Sequence, residues 1–108
     1  MNDLNPDFIA ILKYRTAEEG GRDKPAFSGY RPHIKFPFSN YLTSGQQKFI
    51  DKEIVYPGDT VKAAIVILAT DVFANTLEVG MPFEFAEGSR IIGTGEIIEI
   101  VNENLRKE

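Results

Sequence analysis

Cysteine is absent from all 108 residues, which excludes a disulfide framework, a thiol nucleophile and thiolate metal ligation. Histidine occurs once, at His33. A catalytic or metal-binding histidine needs partners, and no second histidine or cysteine exists to supply one, so His33 reads as a structural or surface residue. No window approaches the run of about 18 apolar residues that a membrane helix requires. Met1-Asn2-Asp3-Leu4-Asn5-Pro6 has neither a basic region nor an apolar core, so no signal peptide is expected. With the missing cysteines, this places the chain by default in the cytoplasm, away from membranes. No G-x-x-x-x-G-K-[ST] segment is present, so GTP binding by this chain alone is not expected. Calcium-loop spacing is missing too, and neither metal nor cofactor is anticipated.

Positive charge is also in short supply. The formal net charge is −4 and unevenly spread: residues 1–40 hold six Lys/Arg against five Asp/Glu, residues 41–108 six against eleven. Affinity for a phosphate backbone comes mainly from clustered Lys/Arg. The bulk composition therefore weighs against nucleic acid, while the first third leaves room for a local basic patch.

What remains is ordinary for one soluble domain, with 43% apolar and 26% charged residues. The periodicity is mostly that of strands. Phe8 to Arg15 begins apolar on both faces and ends alternating, and His33 to Phe38 puts Ile34, Phe36 and Phe38 on one face. Pro37 cannot donate to a ladder and is expected at an edge or a bulge. Ser39 to Lys52 is polar and reads as a loop or loose hairpin. Glu53 to Tyr56 leads into the turn Pro57-Gly58-Asp59. Thr60 to Thr70, the longest β-branched run, reads as a central strand buried on both sides; helix is the alternative, and the preceding turn and the Val/Ile content favour strand. Pro82 to Ala86 alternates, Glu87-Gly88-Ser89-Arg90 reads as a hairpin turn, and Ile91 to Val101 as a strand interrupted by Gly93-Thr94-Gly95. About six strands, short turns and no amphipathic helix indicate an all-β closed or nearly closed barrel. Its bounds are residues 8–102, after an N-terminal extension of residues 1–7 and before a polar tail of residues 103–108.

Few residues suggest chemistry. Glu18 and Glu19 are adjacent, and neighbours on an extended chain point apart, which suits a solvated or arginine-pairing role better than acid/base work on one bond. Arg22 and Arg31 have two readings: bidentate phosphate or carboxylate binding, or anchoring of loop carbonyls and a carboxylate such as Glu18 or Glu19. Tyr30, Phe36 and Phe38 have base stacking or core packing as alternatives, and ordinary burial preferences favour the core. No residue set supports an enzyme.

In order and spacing, Glu18-Glu19-Gly20-Gly21-Arg22, Pro25, Gly29-Tyr30-Arg31-Pro32, Phe36, Gly45, Pro57-Gly58-Asp59 and Glu87-Gly88-Ser89-Arg90-Ile91-Ile92-Gly93-Thr94-Gly95 resemble the C-terminal β-barrel of elongation factor Tu, its third domain. The resemblance implies a six-stranded antiparallel Greek-key barrel. In that family the domain follows a GTP-binding domain and a second barrel, helps bind the T-stem of aminoacyl-tRNA, and docks the GTP-binding domain through the Glu-Glu-Gly-Gly-Arg loop. Departures fall on the RNA-facing positions. His33 stands where the family usually has Gln, Phe36 is followed by Pro37 where it has Arg, Ser89 replaces a turn glycine, and the basic residue after the long strand is replaced around Thr70-Asp71. The resemblance thus implies a stand-alone binding module, not an enzyme, with a protein partner or self-association at the surface left free. RNA is the alternative. Glu18, Glu19, Arg22, Lys24, Tyr30, Arg31, His33, Ser89 and Arg90 are the candidate contact residues.

Overall fold

The computed structural model describes residues 5–108, and residues 1–4 of the expected N-terminal extension lie outside the described residues. The strands in chain order are β1 (Phe8–Tyr14), β2 (Ala26–Phe27), β3 (His33–Lys35), β4 (Thr43–Phe49), β5 (Ile54–Val55), β6 (Thr60–Ile67), β7 (Pro82–Glu87) and β8 (Arg90–Ile100). Six close into an antiparallel barrel in the order β1-β6-β4-β3-β7-β8, while β2 and β5 form a separate ribbon. Successive barrel strands β3, β4 and β6 are neighbours, but β1 returns to lie beside β6 and β7 beside β3. That is Greek-key connectivity.

Alternation along each strand gives the barrel one dry face. β1 sends Phe8, Ala10, Leu12 and Tyr14 inward, β6 sends Val61, Ala63, Ile65 and Ile67, and β7 sends Phe83 and Phe85. The expectation that Thr60 to Thr70 is buried on both sides is corrected here. The strand stops at Ile67, and Lys62, Ala64 and Val66 face out. A closed barrel has a single interior, so even its longest β-branched strand keeps a wet face.

The glycines expected to interrupt β8 do not interrupt it. Gly93 and Gly95 point inward, and a Cβ there would sit 2.2 Å from the Phe85 ring and 2.3 Å from the Phe83 ring. They are small because two phenyl rings on the paired strand β7 occupy that space. The register shifts fall elsewhere: β8 skips Ile92 against β7 and Ile98 against β1. Pro37 is at neither an edge nor a bulge, because β3 ends at Lys35, before it.

Two segments read as irregular are structured. Thr43–Phe49, inside the expected polar loop, is a full barrel strand whose inward residues include Thr43 and the fully buried Gln47. Past Asn102, Glu103–Leu105 forms a 3-10 turn that buries Leu105 against the barrel. The Lys107 amide donates to the Leu77 carbonyl, tying down the chain end. At the opposite terminus the buried Asp7 carboxylate accepts from the Ile67 amide at 2.8 Å and from Asn102 Nδ2 at 3.0 Å. Both flanks of the barrel are therefore attached to it by hydrogen bonds.

Candidate functional site

The segment leaving β1 and the hairpin between β7 and β8 meet at one end of the barrel. Their junction is Arg22, each of whose three guanidinium nitrogens donates to a partner within the protein. Its Nε donates to the Lys24 carbonyl at 3.2 Å and Nη2 to the Pro25 carbonyl at 3.1 Å. Its Nη1 pairs with the Glu87 carboxylate and reaches the Tyr30 hydroxyl at 3.3 Å. Tyr30 donates to the same carboxylate oxygen, and the guanidinium lies 4.8 Å from the centre of the Tyr30 ring. The anchoring reading of Arg22 is the one the geometry displays, but its carboxylate is Glu87 and not Glu18 or Glu19.

The electrostatics follow from that contact. Burial opposes ionisation of Glu87, yet hydrogen bonds from Tyr30 and Arg22 outweigh it and hold the carboxyl below its ordinary range. Burial and the hydrogen bond to Glu87 push the Tyr30 phenol up. Beneath the clip, Tyr14 is almost fully buried, and burial pushes its phenol up strongly. Its hydroxyl donates to Gln47 Oε1, while the buried Gln47 Nε2 has no partner among the described residues. Both tyrosines stay protonated at neutral pH and act as hydrogen-bond donors, not bases.

The remaining candidates separate into two groups. Glu18, Glu19, Lys24, Ser89 and Arg90 are exposed around the clipped end. Glu19 is occupied locally: its carboxylate accepts from the Thr16 amide at 2.9 Å and its own amide donates to Thr16 Oγ1 at 3.1 Å. Those contacts hold its carboxyl below the usual range, the backbone bond most. Arg90 reaches over to the Gly21 carbonyl at 3.4 Å, adding a second tie between the loops. Ser89 occupies the second position of a two-residue hairpin loop between Glu87 and Arg90. Only the first position, Gly88, has a positive φ, of 59°. A serine is therefore tolerated where the resemblance has glycine. Arg31 and His33 take no part in the clip's hydrogen bonds, although His33 pairs with Ala86, the residue before Glu87. Both are exposed on the side wall, His33 opposite Ser44 and Arg31 in the strip that borders Gln46.

Sequence reasoning missed Glu87, Gln47 and Tyr14 as members of this cluster. Glu87 stood in plain view as the first residue of the hairpin turn, but its partner lies 65 residues away, and no local spacing announces that. A shallow groove of about 460 Å³ runs beside the clip, lined by Arg22, Lys24, Pro25, Ala26, Phe27, Ser28 and Tyr30. Its outer lip is the β2–β5 ribbon, where Phe27 pairs with Ile54 and remains 63% exposed, with Tyr56 53% exposed close by. A depression of about 360 Å³ between Lys35, Pro37, Pro82 and Thr94 lies on the barrel wall and gathers no such polar cluster. Among the described residues no three His, Asp or Glu side chains converge as a metal site, and no helix is long and apolar enough to cross a membrane. Fold and site together define a Greek-key β-barrel with one end locked by an Arg–Glu–Tyr clip. No protein-family model matches the chain.

Proposed function

We propose that this chain is a non-enzymatic binding module of the translation-factor type, and that its clipped end engages a protein partner in the cytoplasm. The observation that carries the reading is the exposed aromatic ribbon beside the groove. Phe27 and Tyr56 are both more than half exposed, on a scaffold whose loops are fixed by the Arg22–Glu87–Tyr30 contacts. Exposed apolar groups next to a preformed depression are what a partner surface presents. The charged groups of the clip, Arg22 and Glu87, are engaged with one another and with Tyr30, which leaves shape and apolar contact to supply much of the affinity. The resemblance to the third domain of elongation factor Tu supports the same reading, since the corresponding loop docks another domain there.

RNA is the second reading, favoured by the exposed Arg31 and His33 on a wall whose strands β3, β4 and β6 contain no Asp or Glu. A capture experiment from native lysate at low and high salt, with protein and RNA both identified, separates the two. Protein retained at high salt and lost with Phe27→Ala/Tyr56→Ala supports the partner surface. RNA recovered only at low salt and lost with Arg31→Ala supports the alternative. Recovery of neither removes both.

A further inference from the structure

The side wall of the barrel carries a pattern unrelated to the clipped end. Ladder pairs place Lys48 opposite Ala64, Ala64 opposite Ile9, and Ile9 opposite Glu99. Read across β4, β6, β1 and β8, this single row is therefore cation, apolar, apolar, anion, with all four residues on the outer face. The next row repeats its sense, with Lys62 opposite Ile11 and Ile11 opposite Glu96. Among the described residues, none of these four charges is engaged in an ion pair. Lys48 and Glu99 stand three strands apart, about 14 Å at ordinary strand spacing, so they cannot reach one another on one barrel.

We propose that this wall is a self-complementary surface by which two copies of the chain pair face to face. A two-fold axis in the contact plane, parallel to the strands and between β6 and β1, exchanges the flanks while preserving position along the strands. Lys48 of one copy then meets Glu99 of the other, and Ala64 meets Ile9, twice over. Lys62 is brought over the second copy's Ile11, within side-chain reach of its Glu96. The axis perpendicular to the strands would instead set cation on cation, so the row selects one geometry. An isologous contact of this kind closes at two copies. Because both walls are convex, the contact is small, and the dimer is weak, with a dissociation constant on the order of 100 µM.

Sedimentation equilibrium on the purified, nucleic-acid-free full chain, from about 10 µM to about 1 mM, tests this, with association weakening as salt screens the charges. Lys48→Glu and Glu99→Lys should each weaken association at least tenfold, as each places like charges together twice. Mixed in equal amounts, the two single variants should form a one-to-one heterodimer, and the double variant K48E/E99K should recover self-association. Both changed positions are exposed on the outer wall, and unchanged circular dichroism and melting show that the variants fold. A wild type still monomeric at the highest concentration and low salt overturns the proposal. So does a dimer indifferent to both reversals, or single variants that fail to pair when mixed. The assay contains no lysate partner, so its outcome is separate from that of the clipped end.

Discussion

At the end of the barrel reached by Tyr14 the closure is polar: Arg22, Glu87 and Tyr30 above, Tyr14 and Gln47 below. At the end that begins with Phe8 it is aromatic. There Phe36 meets the rings of Phe8, Phe38, Phe73 and Phe83 at centroid distances of 5.2 to 6.2 Å, and Tyr41 adds to Phe73 at 6.0 Å. Apolar closure is nondirectional and insensitive to pH, whereas the polar closure depends on each partner being present and correctly ionised. The aromatic end thus rests on packing, while the polar end, where Tyr14 also packs edge-on against Phe49 and Phe85, adds the directional bonds that fix the geometry of two loops.

The sharpest way to break this contrast is at its apolar side. Phe36 is fully buried and centred among four rings, so Phe36→Ala should cost about 3–5 kcal/mol through lost burial and the residual cavity. Urea denaturation at neutral pH measures it, and the loss should be the same near pH 4. A loss below that of any polar-end variant would mean that the clip, not the rings, holds the barrel together.

The polar floor comes next. Tyr14→Phe strips Gln47 Oε1 of its one donor and leaves a whole buried amide unpartnered, a cost of about 1–3 kcal/mol. The double variant Tyr14→Phe/Gln47→Leu replaces both partners by apolar groups of similar shape and should regain most of that loss. Denaturation midpoints of the two variants decide it: a double variant worse than the single would show that Gln47 Nε2 is satisfied in solution.

These expectations also show which parts of the molecule were legible in the chain. β1 and β7 announce themselves through alternating apolar residues and β6 and β8 through long runs rich in β-branched residues, and the closed all-β barrel follows from them. β4 does not, because three of its four inward positions, Thr43, Gly45 and Gln47, are polar or absent side chains and only Phe49 is apolar. Gly45 is small to clear Ile34, since a Cβ would lie 2.1 Å from Ile34 Cδ1, a constraint that belongs to another strand. The site was legible by halves for the same reason. Arg22 and Tyr30 lie close in sequence and were both singled out, but the carboxylate that joins them arrives through the β7–β8 hairpin. Arg31 and His33 belong to the same sequence motif yet turn to the wall, because the chain enters β3 at that point.

The smallest effect is the one that isolates the clip. Arg22→Ala removes the pair with Glu87 and two carbonyl anchors, and because Glu87 is still about a third exposed the loss should be about 1–2 kcal/mol at neutral pH. Glu87→Gln keeps the shape and loses only the charge, so it should cost less. Its value lies in the pH dependence. The folded Glu87 carboxyl sits below its ordinary range because Tyr30 and Arg22 hydrogen-bond its ionised form, so around that range the unfolded chain binds more protons than the folded one. The clip's contribution is then fully present above the unfolded value of about 4.3, and it is lost as pH falls through the lower folded value. Other carboxylates titrate over the same interval, so the informative quantity is the stability difference between wild type and Glu87→Gln. That difference should shrink steadily on acidification below the ordinary carboxyl range, and it should stay flat from there up to neutral pH. A difference that instead grew on acidification would mean that Glu87 is held protonated by its surroundings, and the polar end would then be closed by a neutral hydrogen-bond chain with no ion pair in it.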